Sequence, residues 1–302
     1  MPILAHSFIS YLAVCWYLTL TRKGFIMTKT YFITGASSGF GRLLTEKLLA
    51  RGERVAATVR QEHALDDLKA QHGDRLWLAN LDLTYTDAVR SVIDRAFADL
   101  GRIDVIVSNA GYGLFGAAEE VTDEQIRHQI DVNLIGSIAV IRASLPHLRA
   151  QGGGRVLQVS SEGGQTAYPG FSLYHATKWG IEGFVEAVAK EAAPFGIAFT
   201  LVEPGPTSTN FGTGLVRAQS MDVYDDTPVG EIRNALARGE FKLTGDAEKM
   251  VEAIIVVADS NAPPLRLTLG STAYGSIHEA LNGRLAVLEA SKTVTLSTDV
   301  DH

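Results

Sequence analysis

From Thr30 onward, short apolar runs alternate with longer segments of helical period, and this alternation constrains the fold more than any other feature of the chain. Strands are expected at Tyr31–Thr34, Arg54–Val59, Leu76–Leu81, Ile103–Ser108, Arg155–Ser160, Ala198–Val202 and Arg266–Leu269. Helices are expected between them, at Gly39–Ala50, Ala64–Gln71, Asp87–Leu100, Asp123–Leu148, Leu173–Ala193 and Ala247–Ala258, with a last one over Thr272–Ala290. Strands as uniformly apolar as Val105-Ile106-Val107 are those of a parallel sheet covered on both faces. The expectation is an α/β, doubly wound parallel sheet of about seven strands with right-handed crossovers. Ligands of such sheets bind beyond the C-terminal ends of the strands.

Chemistry-bearing residues gather at those ends. Thr34-Gly-Ala-Ser-Ser-Gly-Phe-Gly41 joins the first strand to the first helix, with glycines spaced G-x3-G-x-G. A tight turn, close backbone approach and a helix N-terminus suit a pyrophosphate, here met by Gly35, Ser37, Ser38, Phe40 and Gly41. After the second strand, a dinucleotide site for NAD carries an acid for the ribose hydroxyls. Val59 stands there instead, followed by Arg60. No carboxylate repels a 2′-phosphate and a guanidinium is at hand, which favours NADP(H). Asp82, next to Leu83, could either reach an adenine amino group or cap the following helix. Asn109, Ala110 and Gly111 end the fourth strand, where small residues let a flat ligand lie on the sheet edge or Asn109 stabilises a turn.

Tyr174 and Lys178 are four apart at the head of a helix, so phenol and ammonium share one face. A free tyrosine titrates near about 10, and a neighbouring ammonium is expected to lower that value. Ser160 and Ser161 lie upstream, at the end of an apolar strand.

Together, TGASSGFG at 34–41, SNAG at 108–111, Asn133, Ser161 and YHATK at 174–178 resemble the short-chain dehydrogenase/reductase family, over about Thr30 to Leu269. Ser108 departs from the family's first Asn, and Thr207 from a common valine. TVR at 58–60 and EPGPTST at 203–209 are similar to a bacterial subgroup related to 17β-hydroxysteroid dehydrogenases. The resemblance implies a Rossmann-type domain and a hydride transfer between a nicotinamide cofactor and a carbonyl or alcohol. It makes Tyr174 the general acid/base, Ser161 the donor to the substrate oxygen, thirteen residues before it, and Ser160 structural. It also gives Lys178 the nicotinamide ribose and Asn133 a water in a proton relay. Pro204, Gly205, the Thr207 backbone and the Thr209 hydroxyl would anchor the carboxamide. Non-catalytic nucleotide sensors and epimerases or dehydratases share such folds; the intact tetrad argues against the first and the glycine spacing against the second.

The segment Pro206–Thr244 contains no expected strand, and so long an insertion in a compact domain is usually functional. With residues flanking the tetrad it should wall the substrate pocket: Tyr112, Phe115, Tyr168, Phe171, Phe211 and Leu215, aromatic and apolar, suited to a hydrophobic substrate. His175 points to another helix face and is expected to pack.

The remaining organisation is read from composition. Residues 27–290 are expected to form one domain, with a polar, frayed tail at 291–302. Residues 1–26 are an apolar extension without a basic start or a cleavage site, short for a membrane span. Met27-Thr28-Lys29 leads into the first strand, so an upstream extension is the first reading, with a membrane anchor or an accessory helix as alternatives. The net charge of −7 argues against a nucleic-acid partner. Cys15 is the only cysteine, in keeping with a reducing, cytoplasmic setting. The histidines show no metal-ligating spacing. By analogy with the family, a homodimer or homotetramer is expected.

Overall fold

The computed structural model describes residues 28–240 and 242–300. The apolar N-terminal stretch and Cys15 lie outside the described residues. Among the described residues, no helix is long and apolar enough to cross a membrane, and no three His, Cys, Asp or Glu gather as metal ligands.

The seven expected strands all form. They are β1 (Thr30–Thr34), β2 (Arg54–Val59), β3 (Leu76–Asn80), β4 (Val105–Ser108), β6 (Gly154–Val159), β7 (Ile197–Pro204) and β9 (Arg266–Leu269). They make one parallel sheet in the order β3-β2-β1-β4-β6-β7-β9. This is a Rossmann-type sheet, and its order reverses between β1 and β4, where the crevice for a ligand opens.

The period-2 alternation of each strand feeds two cores. Phe32 and Ile106 face one way, against α3 (Thr86–Leu100), α5 (Gly136–Ala150) and α6 (Ser172–Ala192). Tyr31, Ile33, Val105 and Val107 face the other, against α1 (Gly39–Ala50) and α9 (Ala247–Asp259). The short α2 (Asp66–His72) closes the β2–β3 crossover.

Three elements differ from expectation. The helix expected over Asp123–Leu148 is α4 (Asp123–Ile130) and α5 joined by a π-helical turn, Asp131–Ile135. A capping box of Thr122 and Gln125 starts α4. The widened turn holds Asn133, as π turns commonly do at functional residues. The insertion is also more regular than its sequence suggests. It contains α7 (Asn210–Thr213), β8 (Val216–Arg217) and α8 (Pro228–Ala237). Two residues make no periodic signal; β8 is a strand only because β5 (Leu114–Phe115) pairs with it. Lastly, α10 (Ser271–Ala290) is followed in the polar tail by a short exposed helix, α11 (Lys292–Leu296).

Candidate active site

The glycine turn is shaped by what it must pass. Gly35 has φ +69°, and a Cβ there would stand 2.9 Å from the Ala110 Cα across the crevice. A Cβ on Gly41 would overlap the Gly35 carbonyl. Ser37 and Ser38 leave their hydroxyls in solvent at the α1 N-terminus, while Phe40 packs against the core beneath α1. Asn109 serves as a brace: its Nδ2 donates to the carbonyls of Thr34 (2.9 Å) and Gly35 (3.2 Å). The Asn109 and Ala110 amides donate to Thr34 Oγ1. The Asn109 side chain thus stabilises the turn. Ser108 Oγ is buried with no partner among the described residues.

At the other end of the crevice Val59 is buried and Arg60 is exposed, its carbonyl held by Asn80. Asp82 does not cap α3, which starts at Thr86; its Oδ1 instead accepts from the Thr84 amide (2.9 Å) and hydroxyl (2.8 Å) in a local turn. Burial pushes that carboxyl up, but the Thr84 bonds and the Arg60 charge bring it below the usual range. Leu83 is buried against Gly136. Tyr112, expected in the substrate wall, lines a cavity of about 310 Å³ together with Arg60 and His128, and so opens toward this end.

The four residues come from three elements. Tyr174 and Lys178 sit on α6 and are only 9% and 6% exposed. Ser161, just past β6, accepts from the Gly163 amide (3.1 Å) and hydrogen-bonds the Tyr174 phenol. Asn133 Oδ1 accepts from the Tyr112 amide (3.0 Å), and its Nδ2 donates to the Tyr112 carbonyl (2.9 Å). A Cβ on Gly111 would stand 3.2 Å from Asn133 Oδ1 and 4.0 Å from Lys178 Nζ, so these three residues meet. The side-chain amide of Asn133 is thus engaged in fixing the loop after β4.

One electrostatic expectation is corrected. Burial pushes the Tyr174 phenol up to about 12; Ser161 draws it down, and the charges of Glu162 and Glu182 raise it further. Lys178 is brought down to about 8 by burial, against the upward pull of Glu182. The ammonium therefore does not lower the phenol below its ordinary value in the free protein. Its Nζ stands 5.6 Å from the ring centroid and donates to the Val159 carbonyl (3.0 Å), and desolvation of both groups outweighs their coupling.

Beyond β7, Pro204 ends the strand and Gly205 donates to the Leu269 carbonyl (2.9 Å). Thr207 Oγ1 donates to the Gly205 carbonyl (2.7 Å), leaving its backbone paired with Gly245. Thr209 comes back to the glycine turn: a Cβ on Gly39 would lie 3.9 Å from the Thr209 Cβ. Segment 204–209 thereby spans the crevice.

The aromatic wall forms a chain of rings. Phe115 meets Phe171 at 5.1 Å, Phe171 meets Tyr174 at 6.4 Å, and Tyr174 meets Phe211 at 5.6 Å. Phe115 is fully buried with Val229 of α8, so it supports the wall from behind. Phe211 and Leu215 lie over Gly113, where a Cβ would come within 2.9 and 2.6 Å of them. Tyr168 packs on His175, whose Nε2 accepts from the Tyr168 amide and whose Nδ1 donates to the Gly163 carbonyl, both at 2.9 Å. His175 is a brace for the serine turn.

Several supporting residues went unremarked in the sequence. Glu182, one helical turn beyond Lys178, accepts from Ser160 Oγ (2.5 Å) and Arg266 (2.6 Å). Arg266 also pairs with Glu203, deep in the sheet, so Ser160 is structural as expected. The i,i+4 spacing that exposed Tyr174 and Lys178 would have found Glu182 too. Glu120 accepts from the amides of Ala117 and Met221 and pairs with Arg233, clasping the insertion to the loop after β4. No local signal links residues so far apart.

A glycine-lined crevice ending beside a buried Ser–Tyr–Lys group belongs to a recognisable class of nucleotide-dependent oxidoreductases. The family model described as short chain dehydrogenase matches residues 29–220. Oxidoreductase BOA17 of Botryotinia fuckeliana is 34% identical over 248 residues, 82% of this chain and 90% of that protein. Human 17-beta-hydroxysteroid dehydrogenase type 1 is 36% identical over 194 residues, 59% of this chain and 57% of the human one. A short-chain dehydrogenase from Streptomyces avermitilis, of known crystal structure, superposes with a TM-score of 0.84 at 39% identity, covering 91% of this chain and 99% of that one. The chain belongs to the short-chain dehydrogenase/reductase family. As such it is an NAD(P)-dependent oxidoreductase acting on CH–OH and C=O groups.

Proposed function

We propose that the protein is an NADP(H)-dependent reductase of hydrophobic ketones or aldehydes, or the corresponding alcohol dehydrogenase, with Tyr174 as general acid/base. The observation that carries this reading is the buried Tyr174 phenol, hydrogen-bonded by Ser161 and flanked by Lys178. The residues present fit a nicotinamide dinucleotide: side chains at Gly35 or Gly41 would fill the crevice, and the Ser37 and Ser38 hydroxyls are free at a helix N-terminus. Arg60, with no acid at position 59, supports the 2′-phosphate form.

The bound cofactor supplies or accepts the hydride. The chain supplies the rest. Ser161 donates to the substrate oxygen and holds it beside the phenol. Tyr174 gives its proton to that oxygen during reduction and takes it back during oxidation. Lys178 and Asn133, meeting at Gly111, connect the phenol to the cofactor side and to the protein interior. Phe171, Phe211 and Leu215 exclude water and favour an apolar substrate body. A cytoplasmic homo-oligomer remains the expected setting.

The test is oxidation of NADPH and NADH against a panel of aldehydes, aliphatic and aryl ketones and steroids. NADPH turnover with an apolar carbonyl is the expected result. Equal or faster rates with NADH would overturn the cofactor assignment.

A further inference from the structure

The turn after β6 carries one side chain for which the reaction above has no use. Glu162 follows Ser161, is 5% exposed, and its Oε2 has no hydrogen-bond partner among the described residues. An acceptor buried without a donor is destabilising, and folded proteins keep few of them.

Its surroundings are the reacting centre. Ser161 on one side bonds the Tyr174 phenol, and the Glu162 charge reaches that same phenol. The Tyr168 phenol donates to the carboxyl, which leaves Oε2 as the oxygen without a donor. The rest of the turn has no side chains to offer: a Cβ on Gly163 would lie 2.6 Å from His175 Nδ1, and one on Gly164 would overlap Glu182. The nearby cation, Arg266, is taken up by Glu182, Glu186 and Glu203. Glu162 therefore keeps one buried carboxylate oxygen, Oε2, without a partner among the described residues, one residue from the hydroxyl assigned to the substrate oxygen.

We propose that Glu162, with Tyr168, is a recognition subsite for a hydrogen-bond donor, hydroxyl or amine, borne within one or two carbons of the reacting carbonyl. This rests on the oxidoreductase reading for the identity of the reacting centre. Combined with the ring wall of Phe171 and Phe211, it describes a substrate with a two-heteroatom polar head and an apolar body.

The test compares three chain-matched alcohols, a mono-ol, a 1,2-diol and a 2-amino alcohol, binding to the full protein with NADP⁺ by calorimetry. The corresponding ketones are compared as substrates with NADPH. The expected result is at least a tenfold preference, in Kd and in kcat/KM, for one or both donor-bearing compounds. Glu162→Leu and the unbranched Glu162→Met should each bring that ratio close to one; having two variants guards against one failing to fold. Glu162→Gln should keep a preference for hydroxyl and lose one for ammonium, which tells the two donors apart. No preference in the unaltered protein, or one that survives Glu162→Leu or Glu162→Met, overturns the proposal. Binding preference without turnover of any ketone would count against the oxidoreductase reading and leave the subsite standing; turnover without preference would sink the subsite alone.

Discussion

Gly164 and Glu182 occupy one space: a Cβ on the glycine would overlap the glutamate Oε1, which also accepts from Ser160 Oγ at 2.5 Å. The serine turn is therefore seated directly on the helix that carries Tyr174 and Lys178. Gly164→Ala should destabilise the fold by about 1–3 kcal/mol through overpacking and lower kcat by displacing Ser161. Thermal unfolding and steady-state rates measure both; an unchanged Tm would show that the turn is not held this way.

Tyr174→Phe should lower turnover by roughly 10²–10⁴-fold, the usual contribution of a positioned general acid. Ser161 and Lys178 keep their places, so NADPH binding, followed by fluorescence, should change little. Appreciable residual turnover would remove Tyr174 from its role.

Arg60→Ala should raise KM for NADPH about tenfold to a hundredfold, the loss expected for a charge-assisted hydrogen bond. KM for NADH should stay within about twofold. A parallel change for both cofactors would place Arg60 away from the 2′-phosphate.

The pH profiles should differ by direction. Burial sets the Tyr174 phenol at about 12, so it stays protonated at neutral pH and can donate. Reduction at saturating NADPH should be flat from about pH 6 to 8. Oxidation needs the phenolate, whose fraction grows about tenfold per pH unit below the pKa, so alcohol oxidation at saturating NADP⁺ should climb through the same range. A reductive rate that climbs with pH would contradict the assignment.

Glu120 and Arg233 clasp the insertion over the ring wall. Glu120→Ala leaves Arg233 without its buried partner and should weaken that closure by up to about 3 kcal/mol. Proteolysis within 206–244 should speed up and KM for bulky substrates should rise, with kcat less affected. Unaltered proteolysis would show that the apolar contacts of Val229 and Phe115 suffice.

The sheet, the glycine turn and the Tyr174–Lys178 pair were legible in the chain because each is written locally. Uniform apolar runs, a helical period, glycines at fixed spacing and Tyr174–Lys178 at one helical turn need no knowledge of distant contacts. Asn133 was placed by family spacing, but its engagement with the Tyr112 backbone depends on a π turn that no local pattern announces. Asp82 read equally well as a cap, and only the start of α3 at Thr86 decided against it.

What tertiary structure decided is where long-range packing outweighs local preference. The insertion acquired β8 by pairing with β5 and was fastened by the Glu120–Arg233 pair, 113 residues apart. The phenol and ammonium at 174 and 178 ended with pKa values governed by desolvation, because folding buries both. Which buried acids are fully matched, as Glu182 is, and which keep an open oxygen, as Glu162 does at Oε2, depends on donors brought in from other elements. A sequence lists those groups but does not state their distances. The alternation of strands and helices, the glycine turn and the Tyr174–Lys178 spacing were determined by the sequence alone; the order of the strands, and the shape and electrostatics around Tyr174 and Lys178, were settled only by folding.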